Sequence, residues 1–448
     1  MKQDLAAWLK YIESLHPKSI AMGLDRVNRI IDYLQLRPTF PIITVAGTNG
    51  KGSTCAMLEQ IYRNAGYRVA CYTSPHLLRY NERVRINGSE VSDADLCTAF
   101  AVIETARLEA DTPAVALTYF EVGTLAAMWH FMQADIDVAI MEIGLGGRLD
   151  AVNAFEPSCA IVTSIDLDHQ EFLGNTRESI GLEKAGVYRP LLPAICGDAH
   201  APATLTEYAK KINADIKLIH KDFDYVLTAD GWDFISATIP GQAVYSLPLP
   251  AMQGRYQLSN AACAVAAVEA LQTSLVVAKQ AIVSAMQQVA VAGRFQTIKR
   301  ANAAQVILDV AHNPHAAHAL AENLKTARLE SGQRKPGRVV AVFAMLADKD
   351  IKAVVEAVKN EIDSWYVATI DHARGALAAD LADHIHEVVD DAPVYCCATI
   401  ADAYLQANAD LKASNTIETC IETDENDKIV VFGSFFTVAQ ILEILADK

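Results

Sequence analysis

The chain has 448 residues, 52% of them hydrophobic, and a formal net charge of −16. Domains usually hold about 100–200 residues, so this length predicts two or three domains. The acidic balance without a basic run argues against a nucleic-acid surface. No segment reaches the roughly 20 apolar residues of a membrane span, the start lacks an apolar signal core, and nine scattered cysteines suit a reducing compartment. We therefore expect a cytoplasmic protein without a membrane or nucleic-acid partner.

Predicted strands and helices alternate along the first half of the chain. Short apolar runs indicate buried strands, and apolar residues three and four positions apart indicate helices. In chain order these are helices over 3–36, strand 42–46, helix 53–65, strand 67–73, helices 96–108 and 117–132, strands 138–143 and 159–165, a helix through Lys184, and strand 192–196. Such alternation predicts a parallel sheet with helices on both faces.

The pattern changes over 215–248, where short strand-like pieces and a turn at Pro240-Gly241 predict a small antiparallel addition. An alanine-rich pair of helices follows over 259–289, and we place the domain boundary near residue 293. A second alternation then begins, with strands at 304–310, 338–345, 364–370, 393–396 and 428–432 and a surface loop at 331–337. The fold class is therefore α/β, in two domains.

A glycine-rich turn joins the first strand to its helix and carries the clearest chemical signal. In Gly47-Thr-Asn-Gly-Lys-Gly-Ser53, backbone N–H groups and the positive helix end point at an anion, and Lys51 adds a charge. This predicts a cradle for nucleotide phosphates. Val45 and Gly52 break the strict phosphate-loop pattern, so a plain glycine turn stays open as the alternative.

Other polar residues lie at the ends of neighbouring predicted strands. Ser74, Glu142 and the pair Asp168-His169 each follow such a strand, and the carboxyl ends of parallel strands share one edge. Glu142 is set in an apolar strand end, which is costly unless a cation or metal pairs with it. His169 fits either a metal ligand or a neighbour of a helix cap. Together with the glycine loop they predict a magnesium-nucleotide site.

Two further segments are more ambiguous when read from residues alone. Lys184 lies near a helix end, where a lysine is usually a surface charge that complements the helix dipole. Capping explains Asn313 and Pro314 in the segment from Asp309 to His315, but it leaves Asp309 and His312 unexplained. We therefore favour ligand contact for Asp309 and His312.

Several motifs in this order resemble the folylpolyglutamate synthase/dihydrofolate synthase family, relatives of the muramyl peptide ligases. The resemblance covers nearly the whole chain, and Val45 and Gly52 are features of this family's loop. It implies a P-loop-type doubly wound sheet with an antiparallel addition in a domain at 1–293, and a Rossmann-like α/β domain at 294–448. The motifs are Thr44–Ser53, Ser74–Leu77, Leu117–Glu121, Glu142–Ala151, Thr163–His169, Glu183–Gly186 and Asp309–His315.

The resemblance implies roles for residues of the nucleotide and metal site. It implies that Ser74 and Glu142 hold one magnesium ion, that His169 holds a second, and that Lys184 carries a CO2-derived carbamate. Lys51, Lys184 and His312 would be catalytic. The residues implied to bind ATP are Thr48, Asn49, Gly50, Lys51, Gly52, Ser53, Asn260, Arg294 and Asp309.

The resemblance also implies a pocket for the acid substrate and a place for the amino acid. His312 and Ser434 are candidates for contact with the incoming glutamate or an acyl phosphate. The residues that match the family's dihydropteroate-binding segments are Ala21, Met22 and Gly23; Thr118, Tyr119, Phe120 and Glu121; and Leu149, Asp150 and Ala151.

The implied activity is ATP-dependent addition of L-glutamate to dihydropteroate and to the glutamate chain of reduced folates. We expect a monomer that binds these small molecules. Two rival functions stay open. A muramyl-type amino-acid ligase would share the ATP site but lack a pteridine pocket, and a P-loop switch or motor would hydrolyse ATP without an acid substrate.

Overall fold

The computed structural model describes residues 4–18, 20–236, 243–299, 303–329, 337–417 and 426–446. The chain forms two compact units. The first comprises Met1–Ala251 with Gln257–Val289, and the second comprises Met252–Tyr256 with Ala290–Lys448. The short piece Met252–Tyr256 thus belongs to the second unit although the first unit surrounds it in sequence.

The first unit is built on an eight-stranded sheet with the order β4-β3-β2-β5-β1-β6-β7-β8. Six strands run parallel, and β3 and β4 form an antiparallel hairpin at one edge. The central strands β1 and β5 are buried along their whole length, as their unbroken apolar runs predict. The strands are β1 Ile42–Ala46, β2 Val69–Tyr72, β3 Val84–Ile86, β4 Ser89–Glu90, β5 Val138–Glu142, β6 Cys159–Val162, β7 Pro193–Cys196 and β8 Asp215–Leu218.

Helices cover this sheet, and several begin at side-chain caps. Thr118 and Glu121 form a capping box at the start of α5, while Ser92 and Thr176 cap α4 and α7. The helices are α1 Leu5–Glu13, α2 Asp25–Leu34, α3 Lys51–Asn64, α4 Asp93–Glu109, α5 Tyr119–Gln133, α6 Gln170–Leu173, α7 Arg177–Ala185, α8 Ala203–Lys211, α9 Tyr256–Ala270 and α10 Lys279–Gln288.

The antiparallel addition is smaller than predicted. It consists of β9 Phe223–Thr228, β10 Gly231–Ser236 and β11 Ala243–Leu247, in the order β11-β10-β9. Its predicted start at residue 215 was wrong, because Asp215–Leu218 pairs in parallel with β7 and extends the main sheet. The predicted turn at Pro240-Gly241 lies outside the described residues.

The second unit contains a six-stranded sheet with the order β12-β13-β17-β14-β15-β16, parallel except for β12. The rings of Phe343, Trp365 and Phe432 pack together in its core, with centroids 4.8–6.2 Å apart. The strands are β12 Gln296–Ile298, β13 Gln305–Leu308, β14 Val339–Phe343, β15 Ser364–Ala368, β16 Val394–Cys397 and β17 Lys428–Phe432. The helices are α11 Pro314–Leu329, α12 Ile351–Val358, α13 Ala378–His386, α14 Ile400–Ile417 and α15 Phe435–Ala446.

The predicted fold class is confirmed, since both units are α/β with mainly parallel sheets. The short strands β3, β4 and β12 were missed, because runs of two or three residues show too little periodicity. Residues 331–336 of the predicted surface loop lie outside the described part of the chain. Among the described helices, we find none with the length and apolar content to cross a bilayer.

Candidate active site at the carboxyl edge of the first sheet

The glycine loop lies between β1 and α3, where its backbone takes conformations that favour glycine. Gly47 and Gly50 have φ values of +147° and +86°. A Cβ atom on Gly50 would lie 2.3 Å from the Asn260 side-chain oxygen, so the loop packs closely against α9. Helix α3 begins at Lys51, two residues before the predicted start, so the N–H groups of its first turn belong to the loop.

Hydrogen bonds fasten the loop to the end of β6. The Asn49 N–H donates to Ser164 Oγ at 3.0 Å, and Thr163 Oγ1 donates to the Asn49 carbonyl at 2.6 Å. The Thr48 N–H donates to the Ser164 carbonyl at 2.8 Å. These hydrogen bonds to residues after β6 therefore fix the conformation of the loop. A glycine turn without such partners would not be held in one conformation.

The Lys51 side chain folds over its own loop. Its Nζ atom donates to the carbonyl oxygens of Gly47 at 3.1 Å and Thr48 at 3.2 Å. These bonds keep a positive charge at the mouth of the cradle, where an anion can replace carbonyl contacts. The plain-turn alternative does not explain this arrangement.

Residues of α9 complete one side of the cradle. Asn260 Nδ2 donates to Gln257 Oε1 at 3.0 Å, and Gln257 Nε2 lies 3.5 Å from Ser53 Oγ. All three side chains are buried. The structure thus brings the predicted Asn260 to the loop.

Glu142 and Ser74 meet at the ends of β5 and β2. Glu142 is buried, and its Oε2 atom accepts the Ser74 backbone N–H at 3.0 Å. A Cβ atom on Gly52 would come within 3.7 Å of the same oxygen, so the missing side chain keeps the space between the loop and Glu142 open. A buried carboxylate beside the phosphate cradle fits a hard divalent ion that takes its other ligands from a hydroxyl, phosphate and water.

His169 lies at the end of β6, in a left-handed conformation at the start of α6. Its Nε2 atom is 3.9 Å from the Asp168 carboxylate, and its side chain is 37% exposed. No cluster of three or more His, Cys, Asp or Glu side chains in the described ranges is arranged to hold a metal by itself.

Lys184 is buried, and its interpretation as a surface charge was wrong. The side chain lies on the inner face of α7 and is 3% exposed. Burial, with a smaller contribution from the charge of Lys51, lowers the pKa of Lys184 to about 7, while Asp168 and Asp150 act in the opposite direction. A large share of this amine is therefore neutral near pH 7.

The three segments predicted to hold the acid substrate, 21–23, 118–121 and 149–151, lie close to one another in the first unit. The Gly23 N–H donates to the Leu149 carbonyl at 3.2 Å, which joins the first segment to the third. The ring of Phe120 lies over Gly144, where a Cβ atom would come within 2.6 Å of it. These contacts place the segments 21–23, 118–121 and 149–151 around one part of the unit.

Asp150 belongs to this group and is buried. Its carboxylate accepts the backbone N–H groups of Leu145 and Val152, both at 2.9 Å. Burial raises the pKa of Asp150 to about 7, although these bonds and the charge of Lys51 oppose the rise. Lys51 thus acts electrostatically on both Asp150 and Lys184, which ties the cradle to the acid-substrate segments.

The second unit has its own polar group at the carboxyl ends of its strands. Asp309 accepts the N–H groups of Phe295 and Ala311, both at 2.8 Å. Burial raises the pKa of Asp309 to about 6, against the opposing charge of Arg294. The Arg294 guanidinium lies 5.4 Å from the centre of the Phe435 ring.

His312 and Ser434 lie at this same edge of the second sheet. The Nδ1 atom of His312 is 2.8 Å from the Val310 carbonyl, and its ring centre is 6.0 Å from that of Phe435. Ser434 is buried, and its Oγ atom accepts the Phe436 N–H at 3.2 Å. The structure therefore groups Arg294, Asp309, His312 and Ser434 within one unit.

Sequence reasoning missed Arg26 and Gln257, whose side chains organise the site from helices. Arg26 pairs with Glu121, and Gln257 links Asn260 to Ser53. Neither stands at a strand end or in a glycine turn, so the strand-end rule gives no reason to choose it. Their buried partners are visible only in the folded chain.

Comparisons with known proteins agree with this arrangement. The Mur ligase middle domain matches residues 45–268, and the glutamate ligase domain of Mur ligases matches residues 293–435. The chain is 42% identical over 442 residues to the dihydrofolate synthase/folylpolyglutamate synthase of Escherichia coli K12, covering 98% of this chain and 95% of that protein.

Solved structures extend this similarity to three dimensions. E. coli FolC in complex with DHPP and ADP superposes with a TM-score of 0.88 at 41% identity, covering 99% of this chain and 98% of that one. A bifunctional folylpolyglutamate synthase/dihydrofolate synthase with Mn, AMPPNP and L-glutamate bound has a TM-score of 0.85 at 40% identity, with the same coverage.

Proposed function

Because the chain belongs to the dihydrofolate synthase/folylpolyglutamate synthase family of Mur-type ligases, we propose that it forms amide bonds between folate-type acids and L-glutamate with ATP. One observation carries this assignment to particular residues. The chain that ends β5 joins the two parts of the site: Glu142 lies against Gly52 of the phosphate cradle, and Gly144 lies against the Phe120 ring of the acid-substrate segments.

The first step transfers phosphate to the acid. The carboxylate of dihydropteroate attacks the γ-phosphorus of ATP, which forms an acyl phosphate and releases ADP. Lys51 and the loop N–H groups offset the charge that spreads over the transferring phosphoryl oxygens. The segments around Gly23, Phe120 and Asp150 hold the acid in line with the phosphate.

The second step forms the amide. The glutamate amine attacks the acyl carbon, phosphate leaves, and the amine loses a proton to a base or to solvent. We assign His312 and Ser434 to the incoming glutamate or the acyl phosphate, and Arg294 and Asp309 to ATP. In this assignment the domain at 1–293 binds ATP and dihydropteroate, and the domain at 294–448 supplies these additional contacts.

We assign two magnesium ions to the site. Ser74 and Glu142 would hold the first, and His169 would contribute to the second. When bound, such ions neutralise phosphate charge and polarise the phosphorus for attack. Imidazole is an unusual ligand for magnesium, so we also expect the site to accept manganese.

We further propose that Lys184 carries a carbamate. After the ammonium loses one proton, the neutral amine attacks the carbon of CO2, the N–C bond forms, and a second proton leaves to solvent, which converts a cation into an anion overall. The lowered pKa supports this reaction because only the neutral amine is nucleophilic. A carbamate beside Lys51 would also replace the repulsion between two lysines with an attraction.

The remaining assignments are broader. We propose that the same site extends the glutamate chain of reduced folates, since relatives named for both activities align over nearly the whole chain. We also propose a cytoplasmic monomer without a nucleic-acid partner. The eight cysteines in the described ranges are all free, which supports a reducing compartment.

The test is ADP release from the purified protein with ATP, L-glutamate and either dihydropteroate or tetrahydrofolate. We expect release with each acid and none when the acid is omitted. Release without any acid would favour a P-loop switch or motor. Release with a muramyl substrate, together with no change in pterin fluorescence on titration, would favour a muramyl-type ligase.

A further inference from the structure

We propose that Arg26 is a positioning residue for the acid substrate, acting through Glu121 and the carbonyl of Ala21. This inference rests on the proposed function and adds a residue that does not belong to the three segments themselves. It concerns a fork of hydrogen bonds from one guanidinium group to two of those segments.

The geometry of this fork is specific. Arg26 Nη2 donates to Glu121 Oε1 at 2.8 Å and to the Ala21 carbonyl at 2.6 Å, and Nε donates to both Glu121 oxygens at 3.1 and 3.3 Å. Glu121 is buried, with 4% of its side chain exposed, while Arg26 is 27% exposed. A planar guanidinium can hold a carboxylate and a carbonyl together, and a lysine ammonium lacks this fixed fork.

Through Glu121 the fork controls the start of α5. Glu121 Oε2 also accepts the Thr118 N–H at 2.7 Å and so closes the capping box of this helix. The two residues between them, Tyr119 and Phe120, are the first two residues of α5 and are partly exposed. Fixing the Glu121 carboxylate therefore fixes the direction in which these two rings point.

Through Ala21 the fork controls a segment outside any helix or strand. Residues 20–24 precede α2, and Gly23 has a φ of +139°. The Arg26 bond to Ala21 and the bond from the Gly23 N–H to the Leu149 carbonyl tie this segment at two points. One guanidinium thus joins two of the substrate segments, and the Gly23 bond connects the first of them to the third.

Stability alone is a weak explanation for this pair. A buried ion pair loses hydration that its attraction often fails to recover, so it contributes little net stability over an apolar pair. The next arginine on the same face of α2, Arg29, instead pairs with Asp111 at the surface, with 57% and 40% of the side chains exposed. Arg29 therefore provides a matched control on the same helix.

The experiment compares Arg26→Gln, Arg26→Lys and Arg29→Gln by steady-state ADP release. For Arg26→Gln we expect KM for dihydropteroate to rise about tenfold or more, because a charged hydrogen-bonded fork is lost. Arg26→Lys keeps the charge but not the fork, and we expect a smaller rise of about threefold. KM for ATP should change less than twofold in both, and Arg29→Gln should match the wild type.

The outcomes separate positioning from general support of the fold. A rise in KM confined to the acid supports the inference. An unchanged KM for dihydropteroate in Arg26→Lys and Arg26→Gln overturns it, as does a parallel rise in KM for both substrates accompanied by a lower Tm. If Arg26→Gln does not fold, Arg26→Lys decides by the same criterion.

A double variant tests the route through Glu121. If Arg26 acts through this carboxylate, Arg26→Gln with Glu121→Gln should raise KM for dihydropteroate no more than the worse single variant. Fully multiplicative effects would overturn that route. If the wild type turns over dihydropteroate and all Arg26 variants match it, only this inference is rejected. If the wild type is inactive with dihydropteroate, both the proposed function and this inference are rejected.

Discussion

The carboxyl edges of the two sheets carry different kinds of polar groups. At the first edge, the charge of Lys51 contributes to the lowered pKa of the buried Lys184, and a glycine loop offers its N–H groups to a ligand. At the second edge, the two carboxylate oxygens of Asp309 accept the N–H groups of Phe295 and Ala311. The Arg294 guanidinium lies over the Phe435 ring. Both edges obey the same strand-end rule.

The difference shows that position at a strand end does not by itself define a role. Lysines held near each other favour an anion strongly, which suits stabilisation of a charged transition state. An aspartate whose two oxygens already accept backbone N–H groups is held in a fixed position, which suits binding and orientation. We therefore expect changes at the first edge to affect kcat and changes at the second edge to affect KM.

The largest expected changes in kinetics come from two separate variants, each of which removes one positive charge from one of the two sheet edges. We expect Lys51→Ala to lower kcat by about 100-fold to 1,000-fold, since it removes charge stabilisation from the transition state. Arg294→Ala should instead raise KM for ATP about tenfold with a smaller loss of kcat. ADP release at varied ATP measures both, with surface Lys352→Ala as the control. Near-normal turnover of Lys51→Ala would reject the cradle.

Lys184→Ala should lower kcat about 100-fold, because it removes the amine that we propose carries a carbamate and supports the proposed metal ligands. Short carboxylic acids added to the assay should restore part of the activity by placing an anion in the vacated space. Wild-type rates are measured in CO2-free and bicarbonate buffers alongside. Failure of every short acid to rescue the variant would count against the carbamate.

A smaller effect distinguishes the cradle from a plain glycine turn. Gly50 and Gly66 lie at opposite ends of α3, both with positive φ, but only Gly50 faces a close neighbour, Asn260. Gly66→Ala should lower the free energy of unfolding by about 1 kcal/mol through backbone strain and leave kcat and KM unchanged. Gly50→Ala should also raise KM for ATP about tenfold, because Asn260 and the loop must shift. Equal kinetics in both variants would favour a plain turn.

The smallest expected effect is a change in stability with pH. It is compared between the two buried aspartates, Asp150 in the first unit and Asp309 in the second. Each has a pKa above the ordinary value of about 3.9, so the folded chain holds its proton more tightly. The stabilising contribution is complete below about pH 4 and is lost as pH rises through about 7 for Asp150 and about 6 for Asp309.

Scanning calorimetry of the ligand-free protein from pH 4 to 8 measures this loss. The fall in Tm with rising pH should be reduced in Asp150→Asn up to about pH 7 and in Asp309→Asn up to about pH 6, because asparagine does not titrate. Profiles that stay parallel to the wild type would show that burial does not raise these two pKa values.

Some parts of the fold and site followed directly from local pattern. Apolar runs located β1 and β5, and the glycine loop located the phosphate cradle, because burial on both faces and close approach to an anion each demand particular residue types. Strand Asp215–Leu218 was assigned to the wrong sheet, since its four residues fit either a parallel or an antiparallel neighbour.

The sequence by itself determined the α/β alternation, the strand-end residues and, through its motifs, the family. Only the tertiary structure decided that Lys184 is buried beside Lys51 and that Arg26 joins Glu121 to Ala21. Local pattern depends on neighbours in the chain, whereas burial and pairing depend on segments, some of them 204 residues apart, that meet only when the sheet and helices pack.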